Sequence, residues 1–140
     1  MIRGIHHVAL STPDLDRLAA FYIDVLGFRQ VMATSWSDRP IIDRMVGLQG
    51  SAARQLMLQA GNAYLELFQY ESPPGTPADP ERNPASHGCT HFCIDVADID
   101  AEYARLSQSG MTFHGPPPTS EELGNGALRA IYGRDPDVQA

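Results

Sequence analysis

His7 and His91 occupy the same place in two copies of one pattern. The stretches His7-Val-Ala-Leu-Ser-Thr-Pro-Asp-Leu-Asp and His91-Phe-Cys-Ile-Asp-Val-Ala-Asp-Ile-Asp align without a gap at an offset of 84 residues, matching Leu10 with Ile94, Asp14 with Asp98, Leu15 with Ile99 and Asp16 with Asp100. Similarity held in register marks a duplicated supersecondary unit. Side chains alternate between the two faces of a strand, so parity sorts each apolar run into two sets. Val8 and Leu10, Leu65 and Leu67, and Phe92 and Ile94 form the helix-facing sets, which leaves His7, Glu66 and His91 on the opposite faces. Two neutral imidazoles and a carboxylate suit a divalent cation such as Mn, Fe, Co, Ni or Zn, with other positions open to water and substrate. Such a cation would polarise a carbonyl and ease removal of a neighbouring proton, with Glu66 the candidate catalytic base if it can leave the metal during turnover.

The other chemistry-bearing residues read differently. His6 has the parity opposite to His7 and is assigned to the helix-facing edge or a subunit surface. His87 and His114 fall in loop or strand-end settings and belong to solvent. Cys89, His91 and Cys93 share a face, but residues two apart on a strand are separated by roughly 6 to 7 Å, too far for all three to close on one zinc. Cys89 and Cys93 should form no structural disulfide. Tyr64, Phe68, Tyr70 and Tyr132 can line an aromatic pocket or a plain core. Asp14 and Asp98 are helix-entry residues.

These side chains must be positioned by strands and helices. Ile5 to Leu10 alternates as a strand. Thr12 can cap the next element, Pro13 suits a first helical turn, and Asp14 and Asp16 complement the helix dipole. Leu15, Leu18, Ala19, Tyr22 and Leu26 recur at helical spacing until Gly27, predicting a helix near 13–26. An extended run near Phe28 to Trp36, a short helix from Pro40 to Val46, and strands Arg54 to Gln59 and Ala63 to Tyr70 follow, with Gly61-Asn62 as a hairpin turn. The first unit, about 4–70, therefore reads βαβββ. Residues 71–88, with five prolines, read as a connector. The second unit, about 89–140, predicts a strand at Cys89 to Val96, a helix near 98–109, and strands near Met111 to His114 and Ala127 to Tyr132, the last two separated by a stiff Gly115-Pro-Pro-Pro loop. The expectation is one α+β domain over 1–140: two tandem βαβββ units forming a cupped mixed sheet.

The motif Ile5-His6-His7-Val8-Ala9-Leu10, continuing through Asp14-Leu15, Phe21-Tyr22 and Leu26-Gly27-Phe28, resembles the opening strand and helix of the vicinal oxygen chelate superfamily, which includes glyoxalase I, methylmalonyl-CoA epimerase, extradiol dioxygenases and fosfomycin- and bleomycin-resistance proteins. Tyr64 to Tyr70 resembles the family's fourth strand, where several subfamilies place a metal ligand, and Thr90-His91-Phe92 its fifth. The resemblance covers nearly the whole chain. It implies paired units around one divalent metal that binds two neighbouring substrate oxygens, with His7, Glu66 and His91 as ligands. The implied function is a metal-dependent lyase or isomerase of the glyoxalase or epimerase type, acting on a small oxygen-bearing metabolite. An extradiol ring-cleavage dioxygenase and a non-catalytic, drug-resistance type binding protein are the alternatives. Gly133-Arg134-Asp135-Pro136-Asp137 resembles the turn that leads into an eighth strand with a second glutamate, yet the sequence continues only to Ala140. The expectation is a missing eighth strand, at most three protein ligands, and an unfinished sheet edge covered in a homodimer.

Composition bounds the partners. At 43% hydrophobic residues, 140 residues make one domain with a real core. A net charge of −7, with ten Lys and Arg and no basic run, argues against a nucleic-acid surface. No signal-peptide core and no spanning apolar stretch are present, so a cytoplasmic protein acting on a small molecule, with no membrane partner, is expected.

Overall fold

The computed structural model describes residues 1–124 and 128–137, and the chain divides into two compact units, Met1–Pro77 and Ala78–Ala140. The first unit has the order β1 (His7–Ser11), α1 (Leu15–Ala20), β2 (Arg29–Trp36), α2 (Pro40–Val46), β3 (Ala52–Ala60) and β4 (Ala63–Ser72). Its four strands form one mixed sheet in the order β1-β4-β3-β2, with β1 parallel to β4 and the other pairs antiparallel. This is the βαβββ plan of the first repeat, and it makes the chain α+β.

Alternation along β4 separates core from site. Leu65 and Leu67 are buried with Leu58 of β3 against Leu15, Leu18 and Ala19 of α1. The helix continues into a π-helical turn, Phe21–Val25, where the Leu26 N–H reaches the Phe21 carbonyl at 3.2 Å. The wider turn brings successive side chains closer in direction, and Phe21 and Tyr22 are both buried. Gly27, at φ 73°, then closes the helix through its N–H to the Ile23 carbonyl.

The start of α1 corrects one expectation. Asp14, not Thr12, is the N-cap: its Oδ1 accepts the Arg17 N–H at 3.0 Å, while the Thr12 hydroxyl accepts the Asp14 N–H. Pro13 has no N–H to be capped, and Asp14 keeps an extended backbone that lets its carboxylate span the first turn. In the second unit Asp98 caps α3 (Ile99–Ser107) in nearly the same backbone conformation, φ −137° and ψ 98° against φ −142° and ψ 93° at Asp14. The repeat is thus visible in the capping geometry.

The second unit otherwise departs from the predicted plan. After α3 come β5 (Thr112–Phe113), α4 (Ser120–Leu123) and β6 (Gly133–Arg134), with β5 and β6 antiparallel. The strand expected at Cys89 to Val96 is not formed. Its counterpart β1 is held by a parallel ladder with β4, whereas among the described residues of the second unit the only strand pairing is β5 with β6, and no strand runs alongside Cys89 to Val96. The strand expected from Ala127 to Tyr132 is replaced by the pair at Gly133–Arg134, Ala127 itself lying outside the described residues. The ladder's last link is the His114 N–H to the Tyr132 carbonyl. Beyond it, Pro116, Pro117 and Pro118 bring no N–H donors. Gly133 to Asp137, the stretch expected to turn toward an eighth strand, holds β6 and a turn at 136–137, and residues 138–140 lie outside the described residues. Among the described residues no helix is long and apolar enough to cross a membrane.

Candidate functional site

The face of the first sheet turned away from α1 carries the polar residues. In the β1–β4 register, His7 lies beside Tyr64 and Ala9 beside Glu66; in β3, Met57 faces Glu66 and Gln55 faces Phe68. Across β2, Thr34 and Trp36 lie opposite Gln55 and Ala53, so they join the same face.

His7 Nε2 stands 3.3 Å from Glu66 Oε2. Glu66 is 9% exposed, and its other oxygen, Oε1, accepts a hydrogen bond from the Gln55 amide. One carboxylate oxygen is therefore tied down while the other faces the imidazole. Two donors about 2.1 Å from a common cation, at angles between octahedral and tetrahedral, stand about 3.0 to 3.4 Å apart. The His7–Glu66 pair fits that requirement and could hold a divalent cation. Glu66 is also felt further along the face: the Tyr70 hydroxyl is held above its ordinary value by burial and, secondarily, by the Glu66 charge.

Of the two places expected for His6, it does not take the helix-facing edge: it is exposed, its ring stacks on Tyr64 with centroids 4.8 Å apart, and its Nδ1 lies 2.9 Å from His7 Nδ1. β1 begins at His7, so the strand alternation on which the parity argument rests does not extend to His6. Trp36 was also missed as a wall residue. Its ring meets Phe68 and Tyr70 edge-on at 6.0 and 5.9 Å, and its indole N–H donates to Ser51 Oγ at 2.9 Å. The cue available was its even spacing with Thr34 on a predicted strand.

His91 lies in the second unit and is exposed. Its Nδ1 is 2.9 Å from Thr90 Oγ1 and 3.4 Å from the Tyr132 hydroxyl, with the Tyr132 ring edge-on at 5.0 Å. Cys89 and Cys93 are free thiols. Within either unit, among the described residues, no three His, Cys, Asp or Glu side chains are gathered as a ligand set. In the first unit His7 and Glu66 converge as a pair, and in the second His91 is paired with Tyr132. A cleft of about 360 Å³ at the far end of the first sheet, lined by Ser35, Arg39, Arg54 and Glu71 among others, contains neither His7 nor Glu66.

The chain belongs to the Glyoxalase/Bleomycin resistance protein/Dioxygenase superfamily, whose pattern it matches over residues 4–137. It is 35% identical to 2-epi-5-epi-valiolone epimerase from Actinomyces sp, over 83% of this chain and 64% of that protein. It is 26% identical to human mitochondrial methylmalonyl-CoA epimerase, over 74% of this chain and 52% of that protein. The chain thus spans less than two thirds of the length of either epimerase. A glyoxalase family protein from Bacillus cereus shares the fold with a TM-score of 0.82 at 19% identity, covering 96% of this chain and 88% of that one.

Proposed function

We propose that this chain is a metal-dependent isomerase or lyase of the epimerase type, acting on a small metabolite with neighbouring oxygens. The observation that carries the reading is the 3.3 Å approach of His7 Nε2 to Glu66 Oε2, with Glu66 Oε1 separately engaged by Gln55. Similarity to two epimerases supports the reaction class. His7 and Glu66 would hold the divalent ion, and His91 enters through the repeat alone, as the counterpart of His7. A bound ion would polarise a substrate carbonyl and so acidify the neighbouring C–H. Glu66 would then have two roles, ligand at rest and, once its Oε2 has left the ion, base toward the substrate C–H; the Gln55 amide on Oε1 would hold the carboxylate beside the substrate in both roles. A base positioned in this way contributes about 10² to 10⁴ in rate.

Elemental analysis of the purified protein and calorimetric titration with Mn(II), Co(II), Ni(II) and Zn(II) test the site. His7→Ala and His91→Ala should each abolish tight binding, and His87→Ala should leave it unchanged. Incubation in deuterated water with a panel of small α-hydroxy and α-methyl carbonyl compounds tests the chemistry. Metal-dependent exchange of the α-proton, lost in Glu66→Gln, is expected. Oxygen uptake with catechols under ferrous iron, without exchange, would overturn the isomerase reading in favour of ring cleavage. Tight binding of metabolites by protein free of metal, with no exchange, would overturn it in favour of a sequestering module.

A further inference from the structure

His6 Nδ1 and His7 Nδ1 face each other at 2.9 Å, a contact between two groups of the same kind. Two bare ring nitrogens repel at that distance, so with both rings neutral one Nδ1 must carry the proton and the other must accept it. The opposite nitrogen of His7 decides which. Glu66 Oε2, an acceptor only, is 3.3 Å from His7 Nε2, and a bare Nε2 there would set lone pair against carboxylate. In the metal-free protein the proton therefore sits on His7 Nε2. His7 Nδ1 is bare, and His6 must donate from Nδ1. The preference reverses when His7 Nε2 serves as a ligand. Its lone pair is then committed, His7 carries its proton on Nδ1, and His6 Nδ1 must accept.

We propose that His6 is the positioning residue of the site: its imidazole exchanges tautomers with His7, so that His7 Nε2 can be protonated beside Glu66 at rest and bare when a divalent cation is bound. The proposal rests on the metal reading above and adds to it a residue and a proton path. The protons balance. The His7 Nε2–H bond breaks and its proton leaves to solvent; the His6 Nδ1–H bond breaks and the His7 Nδ1–H bond forms; a solvent proton forms the His6 Nε2–H bond. Each ring has one N–H before and after. The geometry supports the exchange from both sides. The His6 ring is held by stacking on Tyr64, interplanar angle 14°, and it meets His7 nearly perpendicular, at 89°. His6 is exposed, so its Nε2 can trade protons with water. Partners that orient a ligating histidine in this way typically change metal affinity about 10- to 100-fold when removed.

The test is ¹⁵N–¹H long-range correlation of the full chain, at a pH where the ¹⁵N shifts themselves show both rings neutral. Spectra are taken metal-free and with Zn(II). The metal-free protein should show His6 as the Nδ1–H tautomer and His7 as the Nε2–H tautomer, both reversing on zinc addition. His6→Phe keeps a ring for stacking on Tyr64 but offers no nitrogen, and should weaken zinc binding about 10- to 100-fold. His6→Asn, whose amide stands where Nδ1 was and can both donate and accept, should restore most of it. Zinc that shifts the His7 nitrogens while His6 keeps its tautomer would overturn this proposal alone, as would His6→Phe binding zinc as tightly as the wild type. Zinc that leaves both rings unchanged would overturn the metal reading and this proposal together.

Discussion

Gln55→Leu isolates the contribution of the Gln55 amide to the Glu66 carboxylate. The substitution keeps the size of the side chain and removes the donor to Glu66 Oε1. Glu66 has a side chain only 12% exposed, so water has little room to replace the lost donor. A hydrogen bond to a charged group contributes about 1.5 to 3 kcal/mol, and leaving a nearly buried acceptor unpaired costs in the same range. The remaining exposure at Oε2 places the expectation at the lower end, about 1 to 2 kcal/mol. The reasoning specifies a coupling rather than a simple loss. Glu66→Leu alone should leave the Gln55 amide unpaired, and Gln55→Leu made on top of Glu66→Leu should cost much less than it does in the wild type, because no carboxylate remains to be orphaned. Urea unfolding followed by far-ultraviolet circular dichroism on the four proteins measures the cycle, with the slope against urea as a check that the unfolded states match. A coupling energy near zero would refute the argument, and would mean that the Gln55–Glu66 contact does not restrain the carboxylate on which the proposed chemistry depends.

Leu67→Ala should destabilise the protein by about 2 to 5 kcal/mol in the same assay, since Leu67 is fully buried between Leu10 and Leu56 on the neighbouring strands. Asp14→Ala and Asp98→Ala should each cost about 0.5 to 2 kcal/mol, with amide exchange accelerating at Arg17 in the first and at Ala101 in the second. Asp43 is held below the ordinary carboxylate value of 3.8 by the Ser51 hydroxyl and by the Ser51 and Gly50 N–H groups, and Asp16 and Asp100 by Arg54 and Arg129. A lowered folded value contributes stability that is fully present above 3.8 and is lost as pH falls through the folded value, so this contribution should be level at neutral pH and fall below about pH 4, with the carboxyl resonances of these three titrating below 3.8. Sedimentation should give a homodimer at micromolar concentration, because β2 is a sheet edge with Val31 and Met32 both 40% exposed; a monomer would contradict this.

Where the sequence was informative, a local physical rule had one outcome. Gly27 and Gly61 both take positive φ at the ends of elements they were expected to terminate. The alternation of Tyr64, Glu66 and Phe68 against Leu65 and Leu67 suffices to place Glu66 on the sheet face turned away from α1. α2 runs from Pro40 to Val46 as Pro at a first turn predicts. Failures came where the deciding term was non-local. Cys89 to Val96 has the alternation of a strand, but alternation describes two faces and says nothing about a ladder partner. The hydroxyl of Thr12 and the carboxylate of Asp14 are both good caps, and the choice turns on the backbone reach across Pro13. The parity argument does not reach His6 because β1 starts at His7, two residues later than the alternating pattern that opens at Ile5. Gln55 carried no signal at all, since an amide on a half-exposed face becomes informative only once the register puts it beside a buried carboxylate.

The aromatic cluster on the site face gives this chain a built-in optical reporter. Trp36 is its single tryptophan, packed edge-on against Phe68 and Tyr70, and Phe68 is two residues along β4 from Glu66, about 6 to 7 Å away. Its emission therefore reports from one place, the sheet face of the first unit. A ligand arriving over Glu66 changes the polarity that the indole senses without any label being introduced. The same economy has a blind side. Melting followed by tryptophan emission records the loss of the first unit alone, and the second unit must be followed through its own chromophores, Tyr103 against Phe113 and Tyr132 against His91. Where the two signals part along a denaturation curve, the separation measures how far the two repeats unfold as independent bodies.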